Sequence, residues 1–442
     1  MVWSLKSTLC LLILLLLSRL LLAQTHLLSL ETALQYAREK QLSVQQLRYD
    51  SEIAGAKLKQ EKAAHYPKIS ADLDSRYNAQ LPTQILPGDF RNLPGQNIPV
   101  VFGTKYSTTA ALEGSYTIFD PERKYQVEHA KLEQEIAQNN LLTEQTDVAL
   151  EVKKAYYSCL INQQKIKLTR GNLQRNEAFY WNTQTLFRNG QAQPIDVDRA
   201  KLNFQTQQAE LQNATQNFEK SLLNLKYQTG LPLDSAVILT DTLLLSTAQP
   251  VFELNIFDLK ARPEYLNLLL QQEQENLLLT RNKKLALPTL SFYGYYGSQA
   301  YRDNFTFLDF QEKWYPLSYA GAQLNWVLFE GFYRKVLVQE SKITRKRRKV
   351  QLQIFERDYT FQIYDKLLSL KNEQQNLKIR EDNVQLAEKV LRVTRIRFEQ
   401  SLEKSQAVTD AENDLLNAQT NYLNALYDFT LARLEYERIA GK

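Results

Sequence analysis

The sequence predicts a mainly α fold with a membrane β-barrel portion, and three observations predict it. Glycine and proline are scarce, 13 and 12 in 442 residues, and long stretches contain neither. Two pairs of short segments alternate apolar and polar residues with the period of two that a strand demands. One helical seam is written twice. Leu415, Ala418, Tyr422, Ala425, Phe429, Ala432 and Tyr436 step by three and four, and 211 positions earlier stand Phe204, Gln207, Leu211, Ala214, Phe218, Ser221 and Leu225. Large lies over large and, Gln207 apart, small over small. The chain reads as two tandem helix-strand-strand-helix-helix repeats.

The first 23 residues stand outside that plan. Lys6 precedes an apolar run from Leu9 to Leu17, and Leu21-Leu22-Ala23 precedes Gln24. This predicts a secretory signal peptide over 1–23, cut after Ala23. A membrane anchor is the other reading, but Ser18-Arg19 cuts the run below the roughly 18 to 20 residues a span needs. Cys10 lies too early for a lipoprotein attachment site. No helix-type span follows residue 23. Loss of Lys6 and Arg19 takes the formal charge from +5 to +3, which gives no argument for nucleic acid. Cys159 then remains alone, so no internal disulfide forms and stability must come from packing or oligomerisation.

The first repeat is expected over 24–228. Leu30, Ala33, Leu34, Ala37, Leu47, Ile53, Ala54 and Leu58 give a helical apolar face from Leu28 to Ala64, started at Ser29 and stopped by Pro67. Strands follow at about 68–80 and 106–119. A loop rich in Pro and Gly lies between them, from Leu81 to Gly103. Asp120 suits an N-cap and Pro121 the first helical position. From Glu122 to about Phe187 no proline interrupts, which is roughly 100 Å of helix at 1.5 Å per residue. Such length points to a coiled coil. Arg188-Asn189-Gly190 breaks it, and Pro194 opens the helix that carries the first seam.

Residues 229–263 read as a linker with a small strand or short helix. The second repeat, 264–442, follows the same order: helix to Leu287, strands about 289–300 and 317–329, a long helix to Gln400, a break near Ser401, and the second seam.

Each strand has close to the 9 to 11 tilted residues that cross a membrane as β structure. Four strands cannot close a barrel around a lumen, since the smallest spanning barrels have about eight. Open edges are forbidden in lipid. Strands that span must therefore share a barrel with other chains; otherwise they form a soluble hairpin over an apolar patch. The leader, the clean alternation and the Tyr and Trp near strand ends favour the membrane. The helices meet the same need, because residues beside the seam ask for neighbours on both flanks. Alternating large and small seam residues suit knobs-into-holes contact.

Several stretches together resemble the TolC-like outer membrane efflux proteins. YTIFDPERKYQVEHAKLE and NWVLFEGFYRKVLVQESKI resemble the family's strand-to-helix entry. FRNGQAQPIDVDRAKLNFQTQQAEL and RFEQSLEKSQAVTDAENDLLNAQTNYLNAL resemble its paired turn-and-helix motif. YQTGLPLD resembles the approach to the linker, and RPEYLNLLLQQEQENLLLTRNKKLALPTLSFYGYYG the second helix-to-strand passage. The resemblance implies a homotrimer, with a 12-stranded barrel in the outer membrane of a Gram-negative bacterium on a 12-helix periplasmic tunnel. It implies a closed entrance at the helical turns, Arg188, Asn189, Gly190, Ser401 and Leu402. There a periplasmic adaptor (membrane fusion) protein would dock, joined to an inner-membrane pump. The family commonly has glycine in both turns, whereas this chain has Gly190 in the first and Ser401 in the second.

Strand parity nominates Ser70, Asp72, Asp74, Glu113, Gln323 and Asn325 for a water-filled lumen, and Ile69, Leu112, Leu324 and Trp326 for lipid. Asp196, Asp198 and Asp410, just past the turns, would form carboxylate rings under threefold symmetry, and such rings select cations. The plainer reading is helix N-terminal acids favoured by the macrodipole. Arg397 could hold the entrance by pairing with an acid, or be simply solvated. In the seam, Phe204, Leu211, Phe218, Ala418, Tyr422, Ala425 and Phe429 are packing residues. Arg345 to Lys349 point all round a helix and make no nucleic-acid stripe. His26, His65 and His129 are scattered, and no HExxH, Walker or dinucleotide fingerprint occurs. No catalysis, cofactor or metal is expected. The function expected is passive conduction from periplasm to exterior in a tripartite efflux or type I secretion system. The alternative is a periplasmic coiled-coil scaffold without channel activity, and a hydrolase has no residue support.

Overall fold

The structure is a computed structural model that describes residues 26–87, 96–242, 259–307, 311–400 and 402–441. The expected leader and residues 243–258 of the expected linker lie outside these. The chain divides into two compact units. One gathers 1–51, 137–267 and 351–442 and is mostly helical. The other gathers 52–136 and 268–350 and holds the larger sheet.

The helical unit opens on a short strand that no periodicity announces. Strand β1, His26–Leu28, pairs in parallel with β6, Val237–Leu239, and Leu27 lies opposite Ile238. Helix α1, Leu30–Lys40, starts at a reciprocal cap. Ser29 Oγ accepts from Thr32 N at 3.2 Å, and Thr32 Oγ1 accepts from Ser29 N at 2.9 Å. The single helix expected over 28–64 is two helices. Gln41 takes an extended ψ of 126° before α2, Leu42–Ala63. Packing gives a reason that composition does not show. Gly230, at φ +69°, lies against this break so closely that a Cβ would come within 2.7 Å of the Lys40 carbonyl.

The long helix α3, Arg123–Arg188, is followed by α4, Pro194–Thr229. In the other half stand α5, Pro263–Lys284, the long helix α6, Tyr333–Glu399, and α7, Ser405–Ile439. The main core of the helical unit joins β1, α1, α3 and α4 through Leu28, Ala33, Ala37, Val152, Tyr156 and Leu225. A second cluster joins α6 and α7 through Leu367, Leu370, Leu377, Ala425, Phe429 and Tyr436.

The other unit holds four antiparallel strands in the order β2-β5-β7-β8. They are β2, Lys68–Tyr77; β5, Tyr106–Phe119; β7, Thr289–Arg302; and β8, Tyr315–Asn325. The order brings the two halves of the sequence together at β5 and β7. β2 stops at Tyr77, short of 80, because Asn78 clips the chain: its N–H donates to Lys105 O at 2.7 Å and its side-chain amide to Thr104 O at 3.0 Å. β8 stops at Asn325, short of 329. Asn325 pairs with Thr289, and the preceding Pro288 has no N–H to extend the ladder. The loop expected at 81–103 contains a small hairpin, β3, Thr83–Pro87, with β4, Asn97–Val101. Pro121 is not the first helical residue. Asp120 Oδ1 accepts from Glu122 N at 2.8 Å, which makes a turn, and α3 begins at Arg123.

Candidate functional site

Pairing register decides which strand residues share a face, because directly opposed residues of an antiparallel pair point the same way. Ser70 faces Glu113, Glu113 faces Tyr295, and Tyr295 faces Tyr319. Asp72 and Asp74 follow Ser70 on this side, and Gln323 and Asn325 follow Tyr319. The six residues nominated for a lumen therefore lie on one face of the sheet. Ile69, Leu112 and Leu324 lie on the other, beside Leu73, Phe292 and Tyr296. That opposite face is apolar and, over most of its length, uncovered by the chain itself, with Ile69 76% exposed and Leu324 61%; Thr108 and Ala300 at one end are buried. Trp326 belongs to neither set. It lies one residue past β8, and its indole N–H donates to Ala286 O at 2.9 Å.

The helical turns are built by backbone hydrogen bonds. After α3, Gln191 N donates to Leu186 O at 2.8 Å and Gly190 N to Phe187 O at 2.9 Å, a Schellman motif with Gly190 at φ +75°. In the second turn Leu402 N donates to Arg397 O at 2.8 Å, the counterpart of the outer bond. Ser401 itself lies outside the described residues. Asp196 is an N-terminal cap: its Oδ2 accepts from Gln193 N at 3.0 Å. Its Oδ1 also accepts from the Ser405 hydroxyl, which ties the two turns together. Asp198 is exposed, and Asp410 accepts from Gln406 Nε2 at 2.7 Å. Arg397 pairs with Glu403 across its own turn, at 3.5 Å. Arg188, Asn189 and Leu402 are exposed, Leu402 by 65%.

The seam residues divide by helix. On α4 Gln207 and the small residues Ala214 and Ser221 are buried, in step with Ala200, while Phe204, Leu211 and Phe218 are only partly covered. On α7 Ala425 and Phe429 are buried, with Ala418 and Tyr422 partly so.

Polar positions without a motif form the contacts that the pattern does not announce. Glu412, 5% exposed, is paired with Arg395 on α6 and lies 3.8 Å from Arg175 Nε on α3. Asn172 Nδ2 donates to Gln419 Oε1 at 3.1 Å. Lys154 and Lys366 flank Glu435 at 3.5 and 2.8 Å. The hydrogen bond from Lys366 holds the Glu435 carboxyl below the usual range. At the start of the chain Tyr156 donates its hydroxyl proton to Asp241 Oδ2 at 2.8 Å, and Asp241 also accepts from Leu30 N at 3.0 Å. That backbone N–H pulls the Asp241 carboxyl down, and burial pushes the Tyr156 hydroxyl up. Burial raises the Cys159 thiol to about 11, which makes it an inert packing group.

Among the described residues no three His, Cys, Asp or Glu side chains gather as a metal site would need. No described helix is long and apolar enough to cross a membrane.

Comparison with known proteins follows the same lines. The sequence matches the family described as Outer membrane efflux protein over residues 33–231 and 261–442. No curated protein sequence is a significant match. Among solved structures the fold is similar to that of CusC, whose structures were described for folding and transmembrane channel formation. The TM-score is 0.75 at 11% identity, over 94% of this chain and 93% of that one. It is similar to VceC, the outer membrane protein of Vibrio cholerae, with TM-score 0.72 and 16% identity over 93% and 96%. It is also similar to the CmeC outer membrane channel of Campylobacter jejuni, with TM-score 0.72 and 16% identity over 93% and 85%.

Proposed function

The chain belongs to the outer membrane efflux protein family, and on that premise we propose that three copies form a passive exit duct in the outer membrane. The duct would serve a tripartite efflux or type I secretion system, conducting substrates from periplasm to exterior. The observation that carries this reading is the sheet. It has one polar and one apolar face, each exposed over most of its length, and, among the described residues, two open edges, β2 and β8. In lipid every edge must be paired, and three four-stranded sheets joined edge to edge meet that demand. Helical surfaces support the same assembly. Ile354, Phe361 and Leu368, then Ile379, Leu386 and Val393, recur on α6 every seven residues and are all exposed. Such a stripe asks for another helix.

In this reading the turns at Arg188–Gly190 and Ser401–Leu402 form the periplasmic entrance and meet an adaptor, and the energy comes from an inner-membrane pump. Asp196, Asp198 and Asp410 would become threefold sets, with Asp196 already engaged in capping. Opening is a shear or hinge change among the helices.

The experiment is membrane fractionation followed by electrophoresis with and without heating. The expected result is a heat-modifiable trimer in the outer membrane, with a deletion strain that gains drug sensitivity or loses a secreted product. A soluble elongated dimer would overturn the proposal.

A further inference from the structure

Resting on the duct reading, we propose that the inward sheet face carries a binding belt for organic cations, built from Tyr293, Tyr295, Tyr319 and Glu113. The register sets these side chains together. Ser70, Glu113, Tyr295 and Tyr319 form one cross-strand row, and Lys68, Ser115, Tyr293 and Gly321 form the next.

The Tyr295 and Tyr319 rings stack with centroids 4.9 Å apart and planes 2° apart. Tyr293 meets Tyr319 edge-on at 6.3 Å. Tyr293 also lies across Gly321, where an added Cβ would come 2.6 Å from its hydroxyl oxygen and 2.7 Å from its Cζ. The absence of a side chain at 321 lets this ring rest against β8. Tyr293 remains 42% exposed and Tyr319 51%.

Glu113 stands directly opposite Tyr295, and opposed Cβ atoms lie about 4.5–5.5 Å apart. It is exposed, and among the described residues it has no ion-pair partner within 4.0 Å. Two further carboxylates, Asp72 and Asp74, share the face. The bases Lys68 and Arg76 stand at the two ends of β2, and Arg76 is 3.8 Å from Asp74. The three rows between those bases contain no Lys or Arg: they hold Glu113, Asp72, Asp74, Tyr295, Tyr319 and Tyr315 among small or uncharged residues.

That combination selects one chemical class. Tyrosine faces carry negative potential and attract cations, and the carboxylate supplies the counter-charge. A bulky monocation with apolar or aromatic groups loses little hydration on entering and gains contact with the rings. A small hydrated ion gains less, and an anion meets Glu113 and Asp72.

The test is current block in planar bilayers holding the purified full chain, with tetraphenylphosphonium as the probe and tetraphenylborate as its anionic counterpart. The phosphonium should block and the borate should not. Removing two rings with Tyr295→Leu and Tyr319→Leu should weaken block about tenfold, from about 0.5–1 kcal/mol for each exposed ring. Glu113→Gln should weaken it several-fold. Tyr295→Phe should retain it, and so should Tyr296→Leu on the opposite face. Equal block by the borate, or unchanged block in the double leucine variant, would overturn the belt. If that variant does not assemble, Glu113→Gln decides, and unchanged block there rejects the proposal. A wild-type protein that conducts without phosphonium block rejects only the belt; one that never conducts removes the duct reading and the belt with it.

Discussion

Two of the interfaces of helix α7, toward α6 and toward α3, differ in chemistry. Toward α6 an apolar seam runs beside two ion pairs: Leu367, Leu370 and Leu377 pack on Ala425, Phe429 and Tyr436, Leu391 packs on Ala411 and Leu415, and Lys366 and Arg395 pair with Glu435 and Glu412. Toward α3 the contact is a ladder of polar pairs. Asp147 meets Arg438 Nε at 2.8 Å, Lys154 meets Glu435 at 3.5 Å, Asn172 meets Gln419 at 3.1 Å and Arg175 meets Glu412 at 3.8 Å. Near the turn an apolar cluster returns, in which Phe179 and Val408 pack with Ala200 of α4. The difference teaches which helices travel together. An apolar seam tolerates no gap, because lost contact is lost outright. Polar pairs can exchange partners with one another or with water at smaller cost. The α6–α7 boundary, with its apolar seam and two ion pairs, is therefore the more tightly constrained, and the α3–α7 boundary, polar over most of its length, is the less constrained.

The largest test of that contrast is Glu412→Ala. Two guanidinium groups would be left around a buried gap, and breaking such a pair costs about 3 kcal/mol, the low end for buried pairs because both arginines reach solvent. Thermal denaturation of the purified protein measures it. A loss below 1 kcal/mol would mean that this carboxylate, shared by Arg395 on α6 and Arg175 on α3, holds neither boundary. On the apolar side, Ala425→Phe overpacks a site that is 3% exposed, at a cost of about 1–3 kcal/mol. It should also lower trimer yield. Unchanged trimers and unchanged export would remove the seam from the account.

Acid should separate the polar contacts of α7 from its apolar ones. Glu435 has its carboxyl held below the ordinary value, so its contribution is present above about pH 4.3 and fades as pH falls through the lowered value. Hydrogen exchange near pH 3 should rise first around Glu435, where Lys366 of α6 and Lys154 of α3 lose their partner, and only later along the apolar α6 seam; Glu435→Gln should flatten that response. The smallest effect is that of salt. The exposed members of the ladder should lose less than about 1 kcal/mol on going to high ionic strength, with the α6 seam unaffected. Hydrogen exchange at two salt concentrations measures it.

Most of the fold was legible because its elements are long and strongly periodic. The four strands, the first turn and both long helices follow from period, Pro and Gly, and the second turn from its likeness to the first. The sheet faces were legible from parity alone, since a period of two admits only two choices. What the sequence did not announce depends on partners far away in the chain. β1 is three residues long and finds β6 some 200 positions later, which no local pattern can signal. The break at Gln41 has no Pro or Gly of its own; it accompanies the close approach of Gly230. Glu412 reads as one more helix-surface acid until Arg175 and Arg395 are placed around it. Pro121 fits the first helical position by residue type, yet the Asp120 carboxylate makes a turn there instead.

The open edges of the sheet have one further consequence. β2 and β8 are different strands, so copies pairing through them join unlike surfaces, head to tail. A contact of that kind has no two-fold axis to end it. It closes into a ring only if the rotation from copy to copy divides a full circle, and otherwise it grows as an open filament. The number of subunits is then a property of curvature rather than of contact strength. One place where the sheet can take up such curvature is the shift in register between Thr117 and Phe119 on β5.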